Sequence, residues 1–87
     1  MSDAPEFIQL HADDDVITVC DRMRFLRGKR VALVWPERDS ILQRKLDLVL
    51  VQREATRNNV RIALVTHDDE IARNANELNI STFETVS

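Results

Sequence analysis

The chain has 87 residues, of which 44% are hydrophobic and 31% are charged, so it is predicted to fold as one globular domain over residues 1–87. Its 15 acidic and 12 basic residues give a net charge of -3, which argues against a dedicated nucleic-acid binder. No apolar run approaches the roughly 20 residues that cross a bilayer, so we expect no membrane contact by this segment. A single cysteine cannot form an internal disulfide, which favours a cytoplasmic location.

Two short apolar runs, Val31–Trp35 and Ile62–Val65, dominate the hydrophobic pattern. Runs of this length that are rich in Val, Leu and Ile are typical of strands buried on both faces. The stretch 39–59 between them has no Gly or Pro and is rich in Leu, Arg, Gln and Glu, which favours a helix. The order strand, helix, strand predicts a βαβ unit whose two strands are parallel.

The flanking segments continue the same alternation of strands and helices. Weaker strands are predicted at 7–10 and 81–84, and apolar residues at helical spacing predict further helices at 15–26 and 69–78. The predicted fold is a small α/β domain: a four-stranded parallel sheet with three helices, Rossmann-like and doubly wound. The most apolar strands, the second and third, are placed in the centre. Right-handed crossovers then favour the strand order 1-3-2-4 with helices on both faces, and the flavodoxin-like order 2-1-3-4 is the alternative.

Acidic residues follow the predicted strands, at the sheet edge where parallel α/β proteins bind ligands. Asp14, Glu37 and Asp68 are the candidate ligands of a Mg²⁺ ion. The same acids also precede helices, where Asp is a favoured N-cap and complements the helix dipole. We expect Asp14, Asp39 or Ser40, and Asp68 to act as caps, and we predict no metal site.

The chain contains one glycine, Gly28, whereas a phosphate-cradling loop needs several. We therefore expect no nucleotide cofactor. Trp35 and His67 follow strands and are candidates for the mouth of a ligand site. The alternatives are that Trp35 covers the core and that His67 is solvated. Cys20 lies on the apolar face of the first helix and is expected to be a small hydrophobe, not a nucleophile.

The long middle helix carries apolar residues on two sides. One stripe, predicted to face the sheet, contains Leu42, Leu46, Val49 and Leu50. A second stripe, predicted to face outward as a self-association or docking surface, contains Ile41, Leu48, Val51 and Ala55. A helix that is apolar nearly all round is normally covered all round, although single surface aliphatics are common.

Five short segments resemble one bacterial family. Residues 13–23 resemble its D-D-x-x-x-V-x-x-R/D-R-L opening, 30–36 its strand ending in V-P, 46–53 its L-D-L-x-L-L-x-R helix, 61–68 its A-L-V-T-x-D segment and 79–83 its G-I-P-V-F segment. The family is the Rossmann-like N-terminal module of membrane-anchored, baseplate-J-like proteins of unknown function in cyanobacterial and Chloroflexi-type bacteria. Asn79 and Ser81 depart from its usual Gly and Pro. The resemblance implies a cytoplasmic module at the start of a longer chain and no catalytic residue.

Two functions follow from these patterns. The first is a non-catalytic protein-interaction or self-association module, a homo-oligomer or a domain that docks on a downstream domain of the same chain. The second is a Mg²⁺-dependent phosphoryl-transfer or receiver-like domain that uses Asp14, Glu37 and Asp68. The missing glycine loop and the capping role expected for the acids favour the first.

Overall fold

The computed structural model describes residues 5–37 and 41–84, and in them strands and helices alternate as predicted. The strands are β1 (Glu6–Gln9), β2 (Arg30–Val34), β3 (Arg61–Val65) and β4 (Ser81–Phe83). The helices are α1 (Val16–Met23), α2 (Lys45–Arg57) and α3 (Asp69–Glu77), and a 3₁₀ turn at Arg24–Leu26 follows α1. The predicted α/β class is confirmed, with every strand displaced from its predicted bounds by at most one residue.

The four strands form one parallel sheet in the order β1-β2-β3-β4. β2 and β3 are adjacent, parallel and central, which confirms the predicted βαβ unit. The order 1-3-2-4 and its alternative 2-1-3-4 are both wrong, because each strand lies beside its neighbour in the chain. Each connection needs only one short helix to return the chain to the next position of the sheet.

The three helices lie on one face of the sheet, not on both faces as expected. Right-handed crossovers between successive adjacent strands place every helix on the same side. Consistent with this, α1 packs against α2, and α2 packs against α3. The opposite face of the sheet is covered by no helix in the described part of the chain.

The hydrophobic core fills the space between the helices and the inner face of the sheet. Alternate strand residues point to this face, as the two-residue period of a strand requires. The strands contribute Ile8, Val31, Leu33 and Leu64 to the core, and the helices contribute Val19, Met23, Leu48, Val51, Ala55, Ile71 and Ala75.

The orientation predicted for the stripes of α2 is wrong. Leu48, Val51 and Ala55 are each only 1% exposed and face the sheet, whereas Leu46 and Leu50 are 57% and 38% exposed. Ile41, the fourth residue of the predicted outward stripe, is partly buried against the core. These four residues therefore form no outer surface.

The error arises at the start of the helix. The predicted helix began at residue 39, but α2 begins at Lys45. Leu42 has a φ of 56°, in the left-handed region, so it cannot belong to a right-handed helix or set its phase. Within α2 the spacing i, i+3, i+7 of Leu48, Val51 and Ala55 defines the buried face.

The longest described helix, α2, has 13 residues. Within the described ranges, no helix has the length and apolar character required to cross a bilayer. Turns close the other helices: Gly28 has a φ of 78° after the 3₁₀ turn, and Asn79 has a φ of 61° after α3. Both residues stand where the sequence predicted a helix end.

Candidate functional site

Asp14, a candidate metal ligand, is held by groups of its own loop and helix. Its Oδ2 accepts a hydrogen bond of 2.7 Å from the backbone N of His11, and its Oδ1 lies 3.3 Å from Nη2 of Arg22. It is not the cap of α1, so that prediction is wrong by one residue. The cap is Asp15, whose Oδ1 accepts from the backbone N of Thr18 at 3.0 Å, while the Thr18 hydroxyl accepts from the backbone N of Asp15.

Asp68 caps α3, as predicted. Its Oδ1 accepts from the backbone N of Glu70 at 2.9 Å and from that of Ile71 at 3.2 Å. Glu37 is exposed beyond the end of β2. The other predicted caps, Asp39 and Ser40, lie outside the described residues.

Asp14, Glu37 and Asp68 are not brought together as a metal centre. Among the residues that the structure describes, no group of three or more His, Cys, Asp or Glu side chains could hold a metal ion. The Mg²⁺-dependent interpretation therefore gains no support from the described geometry.

Trp35 is a core residue. Its side chain is 5% exposed, and its indole Nε1 donates a 2.8 Å hydrogen bond to the carbonyl oxygen of Ile41. The ring is therefore closed to ligand stacking. His67 is exposed and lines a shallow depression of about 330 Å³ whose other residues include Asp69, Phe83 and Glu84.

Cys20 is half-buried against the core. Burial raises the pKa of its thiol, and the nearby carboxylate of Glu54 raises it further. Because only the thiolate is strongly nucleophilic, the environment of Cys20 fits a packing role better than a catalytic one.

The most unusual surface is the sheet face opposite the helices, which we call the open face. The cross-strand register divides it into two rows of residues. The first row is Phe7, Ala32, Ala63 and Ser81, and the second row is Gln9, Val34, Val65 and Phe83. Seen across the sheet, the first row has small residues at its centre, and each row has one phenylalanine at an outer strand.

Burial separates the open face from the core. Ala32 and Val65 are only 6% and 7% exposed, yet neither belongs to the core cluster, because neighbouring strands cover them and not the helices. Phe7 and Phe83 remain 54% and 56% exposed at the two edges. They flank an open depression of about 830 Å³ whose floor includes Ala32 and Ala63.

The two ends of the open face carry opposite charges. Lys29, Arg30 and Arg61 lie at the amino-terminal end of the strands and line the same depression. At the carboxyl-terminal end, Asp69 and Glu84 lie beside Phe83. The open face is therefore an apolar trough with a basic end and an acidic end.

An apolar trough of this kind is suited to binding by burial of nonpolar surface. All-parallel sheets occur almost only where both faces are covered, because their strands are apolar on both sides. An exposed contiguous apolar patch rimmed by polar residues is typical of an interaction site. The small side chains of Ala32 and Ala63 let an approaching surface come close to the sheet backbone.

Sequence reasoning missed this surface although one signal was present. β2 and β3 read R-V-A-L-V and R-I-A-L-V, so Arg30 pairs with Arg61, and Ala32 pairs with Ala63, in register. Two almost identical strands present the same pattern on their second face. Both strands were interpreted as covered by helices on each side, so that pattern was assigned to a core.

Searches of known protein families, of curated proteins and of solved structures found no match to this chain. The resemblance to the module of baseplate-J-like proteins stays a prediction. The properties of the open face follow from the residues of this chain alone.

Proposed function

We propose that this chain is a non-catalytic protein-interaction module that docks through the open face of its sheet. The observation that carries the proposal is an all-parallel sheet with helices on one side and an apolar trough on the other. The docking surface differs from the one predicted on α2, since most of that stripe is core. It serves the same predicted function.

The candidate catalytic groups have other roles, which supports binding over turnover. Asp68 caps a helix, Asp14 pairs with Arg22, and Trp35 packs in the core. The open face instead offers Phe7 and Phe83, each about half exposed. Burying a whole Phe side chain contributes roughly 1.5–3 kcal/mol, so covering these two should contribute about 1 kcal/mol each.

The proposal is tested with the fluorescent dye 1-anilinonaphthalene-8-sulfonate, which brightens on apolar surfaces. We expect the dilute, folded chain to bind the dye, and Ala63→Glu to abolish binding by placing a charge in the trough. Phe83→Ser should weaken binding, whereas Phe25→Ser removes an 86% exposed phenylalanine outside the trough and should leave it unchanged. The near-ultraviolet circular dichroism of Trp35, the single tryptophan, reports that each variant is folded.

Two results would count against an apolar docking surface at this place. One is a folded chain that leaves the dye dark. The other is dye binding that Ala63→Glu and Phe83→Ser do not change, because the dye would then occupy another surface.

We further propose that the chain works in the cytoplasm. The support is its lone cysteine, which fits a reducing compartment. Subcellular fractionation of the cells that express it tests this location: recovery with secreted or periplasmic proteins would contradict it.

A further inference from the structure

We infer that the occupant of the open face is a second copy of this chain, stacked face to face with its strands running in the opposite direction. The inference rests on the proposed function, since it names the partner of the same surface. It commits to a symmetric dimer in which two helix layers enclose two sheets.

The size of the side chains favours this arrangement. A two-fold axis that lies between the sheets and perpendicular to the strands places each strand over its own counterpart, reversed, so that the first row faces the second row. Ala63 then faces the partner's Val65, and Ser81 faces the partner's Phe83. Small residues meet large ones, as close packing of two sheets about 10 Å apart requires.

The other symmetric arrangement packs less well. An axis parallel to the strands would place β2 over the partner's β3 in the same direction. Ala32 would face the partner's Ala63 and leave a void, and Val34 would face the partner's Val65 and crowd the interface. Voids and overpacking both destabilise an apolar interface.

The charges at the ends of the trough favour the same choice. In the reversed stack, the basic end with Lys29 and Arg61 approaches the partner's acidic end with Asp69 and Glu84. In the co-directional stack, the two basic ends would meet. Like charges across an interface oppose association, whereas complementary ones support it and fix its orientation.

The interface is small, which sets the expected affinity. Neighbouring strands lie about 4.8 Å apart, so the axes of β1 and β4 are separated by roughly 14 Å. Two faces of this width bury less than the roughly 1,200 Å² of standard stable complexes. We therefore expect a dimer that exchanges with monomer and forms as the protein concentration rises.

Charge reversal tests the dimer and its orientation together, with sedimentation equilibrium as the readout. Arg61→Glu alone and Glu84→Arg alone should each raise the dissociation constant about tenfold, since each places like charges together twice in the reversed stack. An equimolar mixture of the two variants should restore association as a heterodimer. Arg53→Glu, the same charge change on an exposed residue of α2, should leave association unchanged.

Each outcome of this experiment decides the inference. Stronger association of Arg61→Glu would indicate the co-directional stack and would overturn it, as would association that Ala63→Glu leaves intact. A wild-type chain that binds the dye but stays monomeric would also overturn it, leaving the proposed docking function for a different protein. A folded chain that neither binds the dye nor dimerises would overturn both.

Discussion

Ala32 and Ala63 are paired across β2 and β3, and both lie on the sheet face turned away from the helices. Each follows an arginine by two residues, and those arginines, Arg30 and Arg61, are paired as well. The two central strands thus present one shared pattern, basic and then small and apolar, on a face that no described helix covers. The proposed docking function depends on that face.

The first prediction concerns the orientation of α2. Leu48→Ala should lower the free energy of unfolding by about 2–5 kcal/mol, because Leu48 is 1% exposed in the core. Leu46→Ala, the same change at a 57% exposed position of the same helix, should cost about 0.5 kcal/mol or less. Urea unfolding of both variants measures the difference. Equal losses would show that the helix presents the other stripe to the sheet.

The second prediction concerns the start of α1. Asp15→Ala should lower the free energy of unfolding by about 1 kcal/mol, because it removes the side chain that accepts from the backbone N of Thr18. Asp13→Ala changes an exposed neighbour and serves as the matched control. Thermal or urea unfolding reports both values. A larger loss in Asp13→Ala than in Asp15→Ala would place the cap elsewhere.

The third prediction concerns metal. A ligand that binds only the folded state raises the melting temperature by mass action. Since Asp14 and Asp68 are held by hydrogen bonds of their own helices, millimolar Mg²⁺ or Mn²⁺ should leave the melting temperature unchanged. A rise that disappears in Asp14→Asn or Asp68→Asn would instead support the metal-dependent function.

The fourth prediction concerns pH and the ion pair between α2 and α3. The hydrogen bond of 2.8 Å from Nζ of Lys45, together with its charge, lowers the pKa of Glu77 in the folded protein. The pair therefore stabilises the fold at neutral pH, and this contribution is lost as the pH falls through the lowered pKa. A nuclear magnetic resonance titration should show the Glu77 midpoint below its ordinary value, and Lys45→Met should return it there. An unchanged midpoint in Lys45→Met would contradict the pairing.

Local features of the fold were predictable because each depends on a few adjacent residues. Asp68 precedes a helical pattern and caps it, and Gly28 and Asn79 stand where left-handed residues end helices. The parallel pairing of β2 and β3 also followed, since a strand, one helix and a second strand leave few other connections.

Features that depend on distant contacts were not predictable in the same way. The strand order depends on which edges meet, and no local pattern in β1 specifies whether it joins β2 or β3. The buried side of α2 was misjudged because Leu42 resembles a helical residue in sequence but has a left-handed backbone. The open face was missed for the same reason as the strand order, because only the final topology leaves Ala63 without a helix above it.

The most direct test of docking through the open face is a dilution series followed by two-dimensional ¹⁵N–¹H nuclear magnetic resonance. As the concentration rises, amide signals of the strand residues around Phe7, Ala32, Ala63 and Phe83 should shift, while those of Leu46 and Leu50 on the outside of α2 should not. Signals that shift around Leu46 and Leu50 instead, or a spectrum that stays constant at every concentration, would contradict self-association through this face.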